Sequence, residues 1–264
     1  MEPEPGAEGR SAHNHRSRLY NTSGVILRRR DIGESDRIIV VYTEEHGKRS
    51  FSARGSRKPT SKIAGQIEPF SLVDLHVART RSVDIISQVV ARNLFANIRT
   101  SEQLIAVAGI IAELVDSMTP EDQPNRSVSD LLVASLTLLD AGHDPVLILV
   151  ACQLGLLRHL GYRPSLATCC VCGEDLLPID QGFSLESGVV CPNCRRNAAS
   201  VMPISAGALK LLRATDRGEL TSLLRLKIDP RIVDEADHLL AAYIRNIVGR
   251  PSRAREVVRE LRLQ

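Results

Sequence analysis

Four cysteines in the second half of the chain are spaced as metal ligands: Cys169-x-x-Cys172 and Cys191-x-x-Cys194. Two intervening residues let a tight turn aim both thiolates at one ion. Two such turns complete a tetrahedral sulfur site, the arrangement that favours zinc. Gly173 follows the first pair, where such a turn needs conformational freedom, and Pro192-Asn193 fills the second turn. Four thiolates leave no open coordination position, so the expected chemistry is structural: one zinc ion that clips the segment together. Cys170-x-Cys172 offers an alternative ligand spacing. The two-residue gap is the commoner, so Cys169 is taken as the ligand and Cys170 as the spare. The sixth cysteine, Cys152, lies in an apolar helical run and reads as core filler.

No catalytic motif accompanies these thiols. Zinc deaminases need H-x-E together with P-C-x-x-C, but no His here has Glu two residues later, and Pro192 follows its cysteine. H-E-x-x-H and the phosphate-binding G-x-x-x-x-G-K-[ST] are both absent, and the seven His are scattered. The chain is therefore expected not to be an enzyme. Its longest uninterrupted apolar run, Val146 to Cys152, is far too short to span a membrane. The first fifteen residues are acidic, with no cationic start and no apolar stretch. Clustered thiols without an export signal point to a reducing, cytoplasmic setting.

Charge divides the 264 residues unevenly. The net charge is only +3, yet residues 16–100 hold 16 Lys/Arg against 8 Asp/Glu, whereas residues 101–264 hold 17 against 20. A basic module is thus fused to a mildly acidic one, and the two are expected to meet different partners. The cations of the basic module alternate with strand residues, unlike those of a disordered tail. Arg28, Arg29 and Arg30 end a first strand, Lys48, Arg49 and Arg54 lie on or beside a third, Arg57, Lys58 and Lys62 populate a loop, and Arg79 and Arg81 sit at a hairpin turn. Arg28, Arg30, Lys48, Arg49, Arg54, Arg57, Lys58, Lys62, Arg79 and Arg81 are the candidate contacts to a phosphate backbone. Tyr42, Phe51 and Phe70 are the aromatic residues weighed for base stacking, with Phe70 reading as core.

The elements that must position these groups follow from the hydrophobic period. Residues 1–17 are polar and are left as a disordered extension. From residue 18 to about 97 the pattern is strand-like: Val25–Leu27, Arg37–Thr43, Lys48–Ala53, Ile67–Ala78 and Val83–Arg92, with a long basic loop before the fourth strand. Five such strands predict a small antiparallel barrel. After residue 98 the period becomes helical. Leu104, Val107, Ala108, Ile111, Leu114, Val115 and Met118 form one stripe, with Thr100 and Gln103 as a capping box. Val128 to Leu139 forms a second stripe. Asp144-Pro145 opens a third helix, apolar nearly all round, and Ser205–Arg217 and Pro230–Val248 supply two more. The fold class is α+β: an N-terminal β-barrel, then a helical bundle interrupted at 165–200 by the four-cysteine insertion.

Several motifs occur together in a recognisable order. Gly24-Val-Ile-Leu, Gly33-Glu-Ser-Asp-Arg-Ile-Ile, Tyr42-Thr with Gly47-Lys48, Gly55-Ser-Arg-Lys, Gly65-Gln-Ile-Glu-Pro-Phe70 and, before the first cysteine pair, Gly161-Tyr-Arg-Pro follow one another. This succession resembles the bacterial RecO family of recombination mediators from about residue 20 to the chain end. The resemblance implies an OB-fold, a helical domain and a zinc-binding segment. It also implies a role in repair by homologous recombination: binding single- and double-stranded DNA, annealing complementary strands, and acting with RecR to help RecA replace single-stranded-DNA-binding protein. The implied setting is the cytoplasmic nucleoid. An RNA-binding or transcription-associated protein with an OB-fold and zinc ribbon is the alternative, because a basic groove reads backbone rather than sugar.

Overall fold

The computed structural model describes residues 19–196, 200–218 and 220–261, the last four of these by backbone alone. The extension expected to be disordered, 1–17, lies outside the described residues.

Five strands close the barrel: β1 (Leu19–Ile32), β2 (Asp36–Thr43), β3 (Gly47–Ala53), β4 (Leu72–Ala78) and β5 (Asp84–Asn93), in the order β1-β2-β3-β5-β4. All neighbours are antiparallel except β3 and β5, and this is the Greek-key order of an OB-fold. β1, at 14 residues, is far longer than its run of Val25–Leu27 implied because it pairs on both sides. Leu19 to Val25 meet β4, and Gly24 to Ile32 meet β2. A bulge between Ile26 and Arg28 bends it from one partnership into the other. The expected strand start at Ile67 is not seen. Residues 64–66 form a 3-10 turn, and Ile67 is buried in the barrel core. Phe70 adopts a positive φ of 72° as the chain swings onto β1, where its N–H donates to the Ile26 carbonyl at 2.7 Å.

The barrel core contains Ile26, Ile39, Val41, Phe51, Ala53, Val73, Leu75, Val77, Ile86 and Val89. Alternate residues of β1 and β2 face outward, yet Val25, Leu27, Val40 and Tyr42 are buried as well, inside the core of the helical domain. This explains why these two strands read as continuous apolar runs: both of their faces are covered.

The helical domain begins with a 3-10 turn at 96–100, whose Ile98 packs into the same core and whose N–H groups are held by Asp140. Then come α1 (Glu102–Met118), α2 (Arg126–Asp140) and α3 (Pro145–His159). The cap of α1 is Ser101, whose side chain accepts from the Leu104 N–H, one residue after the predicted Thr100, which ends the 3-10 turn instead. In α3, Asp144 accepts from the Leu147 N–H and every residue from Leu147 to Leu154 is buried, as its all-round apolar surface predicts. The insertion supplies β6 (Gln181–Ser184), β7 (Gly188–Val190), the single turn α4 (Pro192–Arg195) and β8 (Val201–Ile204), a three-stranded sheet in the order β7-β6-β8. The bundle resumes with α5 (Ala206–Asp216), α6 (Leu220–Leu223), α7 (Pro230–Val248) and α8 (Arg253–Leu261). No helix of the described residues is long and apolar enough to cross a membrane.

One close approach fixes the seam between barrel and bundle. The α1–α2 linker lies against the β2–β3 hairpin, where the Asp122 N–H donates to the Lys48 carbonyl at 3.0 Å. Gly47 has a φ of +68°, and a Cβ there would stand 2.1 Å from the Gln123 carbonyl oxygen. Gly33 is also left-handed, at +56°, but faces open space. Gly33→Ala is therefore expected to cost about 1–2 kcal/mol, the conformational penalty alone, and Gly47→Ala more, because the linker must also move. Equal losses in urea unfolding would show that the linker does not hold the hairpin.

Candidate metal centre and nucleic-acid interface

The first cysteine turn is closed by backbone hydrogen bonds: the Cys169 N–H donates to the Glu174 carbonyl at 2.8 Å and the Gly173 N–H to the Cys169 carbonyl at 2.9 Å. Gly173 takes the positive φ, 77°, that this turn requires. The second turn is α4, with Cys191 as its cap and Pro192 at its first position. The sheet brings both turns together, and the Sγ atoms of Cys169, Cys172, Cys191 and Cys194 all lie within 4.8 Å of one another. Cys172 and Cys191 are 3.9 Å apart. A tetrahedron built on metal–sulfur bonds of about 2.3 Å has edges of about 3.8 Å, so the donor set fits a thiolate-bound ion. Cys170 points away, its Sγ 3.7 Å from the Gly188 carbonyl oxygen.

Four thiols this close cannot all ionise unaided. Burial pushes the Cys169 thiol up, but backbone N–H groups of Cys191, Cys172 and Val171 pull it further the other way, to about 6. Cys194 is pushed up to about 12 by sharing protons with Cys191 and Cys172 and by burial. A bound ion would replace those shared protons. The insertion is also seated on the bundle without the cysteines. Phe183 meets Tyr243 edge to face at 5.7 Å, the Tyr243 hydroxyl donates to the Tyr162 carbonyl, and the Arg213 guanidinium donates to the carbonyls of Leu166, Ala167 and Leu176.

The ten candidate phosphate contacts fall into three places. Around the β1–β2 turn, the basic loop after β3 folds back: the Arg57 N–H donates to the Ser35 carbonyl, its guanidinium donates to the Gly33 carbonyl at 2.9 Å, and Asp31 lies 3.3 Å away. Asp36 accepts from the Gly55 N–H and is held below the usual carboxylate range by that bond, by the Ser35 hydroxyl and by the charges of Arg54 and Lys58. Arg54, Arg57 and Lys58 are exposed here, and Lys62, further along the loop, is exposed as well. Arg30, also exposed, sits one register row away, opposite Ile38, in the row before the one where Asp31, Arg37 and Ala53 align. At the seam, Arg28 and Lys48 both meet Asp116 of α1, at 2.7 and 3.3 Å. At the opposite mouth of the barrel, Arg49 is held by Asp122 at 2.7 Å, Asp84 at 3.5 Å and the Tyr20 hydroxyl at 2.9 Å. Arg79 lies there over the Tyr20 ring, 5.0 Å from its centroid, with exposed Arg81 beyond it.

The aromatic residues weighed for stacking are not available for it. Tyr42 is buried between barrel and bundle, Phe51 is wholly buried in the barrel core, and Phe70 packs against the bundle. Tyr20 is the aromatic residue that sequence reasoning passed over: half-buried, it meets Arg79 and His46 and gives its hydroxyl proton to Asp84 at 2.7 Å. Burial and that bond push its hydroxyl up to about 12. Asp116 was missed too. It sits on a helix 68 residues beyond Lys48 and 88 beyond Arg28, and nothing local announces the pairing.

Comparison with known proteins decides the family. The model of the recombination protein O N-terminal domain matches residues 17–95, and that of the recombination protein O C-terminal domain matches residues 102–256. The chain belongs to the RecO family. Among its relatives, the DNA repair protein RecO of Roseiflexus sp. is 37% identical over 240 residues, covering 90% of this chain and 84% of the relative. The DNA repair protein RecO of Dehalococcoides mccartyi is 35% identical over 92% of this chain and 96% of its own length, and that of Desulforamulus reducens 32% over 86% and 89%. The two RecO matches meet between β5 and α1, where the barrel gives way to the bundle.

The geometry sets the four clustered cysteines apart from Cys170. Cys194→Ser is expected to abolish uptake of a metal ion, and Cys170→Ser to retain it, as read by elemental analysis of the purified protein. Protonated Cys194 must lose its proton to bind, so affinity should rise with pH through the neutral range. Metal binding that survives Cys194→Ser, or that weakens with rising pH, would rule out the four-thiolate centre.

Proposed function

We propose that this chain acts in DNA repair and homologous recombination as a non-catalytic DNA-binding mediator. The observation that carries this is the set of exposed cations Arg30, Arg54, Arg57, Lys58 and Lys62 on the first strand and the basic loop of an OB barrel, in a chain of the RecO family. The barrel, bounded roughly by residues 18–97, is the DNA-binding unit, and the helical domain from 98 onward is the unit for protein contacts. Arg30 and the loop cations neutralise phosphates of single- or double-stranded DNA. Arg79 and Arg81 extend the positive surface at the far mouth. With phosphate repulsion lowered and base edges left free, complementary strands anneal without ATP. The mildly acidic helical domain does not compete for DNA and is suited to protein partners. By family, those partners are RecR and single-stranded-DNA-binding protein, with RecA loading as the outcome in the cytoplasmic nucleoid.

The metal in this proposal is a single structural zinc on Cys169, Cys172, Cys191 and Cys194. An all-sulfur tetrahedral donor set favours it, and four thiolates leave no position for a catalytic water.

Each phosphate contact releases counterions, so binding of an oligothymidylate is expected to weaken steeply with salt. Neutralising Arg54, Arg57, Lys58 and Lys62 together should flatten the log–log slope by up to about 3, at about 0.7 per phosphate. Fluorescence anisotropy across a salt series reads this directly. An unchanged slope would remove the loop from the interface. Wild-type protein should also anneal strands coated with single-stranded-DNA-binding protein without nucleotide, and failure to do so would remove the mediator role.

A further inference from the structure

We propose that Arg28 and Lys48 form a phosphodiester-binding position that the Asp116 carboxylate fills from within the molecule, so that Asp116 weakens the grip of the barrel on a nucleic-acid backbone. This rests on the barrel being the DNA-binding unit.

The position continues from the exposed Arg30. Arg30, Arg28 and Lys48 lie opposite Ile38, Val40 and Tyr42, alternate residues of β2, so all three belong to its outward face. Successive rows are about 7 Å apart along the strand. Arg30 has no ion-pair partner among the described residues. The next two cations converge on one carboxylate: Arg28 Nε donates to one Asp116 oxygen at 2.7 Å, and Lys48 Nζ stands 3.3 Å from the other. A basic row that starts open therefore ends on an internal anion. A carboxylate and a phosphodiester present similar pairs of anionic oxygens to such donors.

The helix itself gains little from this carboxylate. Asp116 lies in the last turn of α1, where the helix dipole disfavours negative charge, and no basic residue of that turn offsets it. Lys48 also donates to the Asp116 backbone carbonyl, so a cation would still cap this helix end with the carboxylate neutralised. Arg28 is accessible as well. Its side chain is 52% exposed and uses only Nε on Asp116, leaving its terminal N–H groups for a ligand. Arg49 differs: three acceptors surround it at the far mouth, and losing one would not free it.

Replacing Asp116 with the isosteric Asn tests the idea, using the full chain and a labelled oligothymidylate. Asp116→Asn is expected to bind about 3- to 10-fold more tightly at moderate salt and to steepen the log–log salt slope by about 0.7 for each phosphate contact recovered. Adding Arg28→Gln to Asp116→Asn should cancel most of that gain, whereas Arg28→Gln alone should change wild-type affinity less than Arg30→Gln does. Unchanged or weaker binding by a folded Asp116→Asn protein would overturn the proposal, as would a gain that survives Arg28→Gln. If Asp116→Asn fails to fold in a thermal melt, Asp116→Ser carries the same expectations. Failure of the wild-type protein to bind the oligonucleotide at low salt would instead overturn the DNA-binding role of the barrel, and this inference with it.

Discussion

The two-sided burial of β1 and β2 is the constraint on which the rest of the molecule depends. Ile26, Ile39 and Val41 point into the barrel, while Val25, Leu27, Val40 and Tyr42 point into the helical core. Each pair of neighbouring residues is therefore divided between two hydrophobic interiors, and a one-residue slip of either strand would exchange them. Barrel and bundle are packed as one body at this seam, with the apolar contact ringed by polar ones: Tyr42 to the Asn125 carbonyl, Arg126 to Glu44, Arg49 to Asp122. The DNA-binding role proposed for the barrel is shaped by the same burial. Part of the outer face of β1–β2 is given to the helices, which leaves the turn at 33–35, the basic loop and the far hairpin as the exposed cationic regions.

The metal segment follows a different logic. Its sheet strands are short, yet Phe183, Val189, Val190 and Ile204 belong to the core that runs through the helical domain. Arg213 reaches three of its carbonyls, and the Asn246 amide reaches a fourth at Leu185. The segment is thus anchored by burial and hydrogen bonding along one side, while the cysteine turns close the other. A metal held here would organise the two turns rather than the whole domain, because the rest of the segment is anchored by its own burial and hydrogen bonds.

Features with local causes were legible in the sequence, and features with distant causes were not. Helix boundaries set by Asp144-Pro145, Ser205, Asp229-Pro230 and Gly249 are local chemistry, and those helices lie where the caps place them. The cysteine spacing is likewise local, and the choice of Cys169 over Cys170 rested on the two-residue gap being the commoner. Residues 67–71 misled because Ile67 and Phe70 are apolar for tertiary reasons, one buried in the barrel core and the other meeting the bundle. Tyr42 and Phe51 misled for the same reason: an aromatic residue in a basic domain reads alike whether it faces solvent or core, and only the register of β2 against β3 decides it.

The charge pattern shows where such reasoning reaches its limit. A surplus of cations over residues 16–100 is a property of composition, and it correctly marks the barrel as the basic half. The acids that hold Arg28, Lys48 and Arg49 are Asp116 and Asp122, supplied by the helical half, together with Asp84. Part of the positive charge of the barrel is thus spent on the seam between the halves, and the mild acidity of the helical half partly serves that seam as well. The two figures are therefore coupled by folding rather than independent. What distinguishes Arg30 and the loop cations from Arg28 and Lys48 is distance from α1, a quantity that exists only after the barrel has docked. The cations left for an external polyanion are those that docking does not reach.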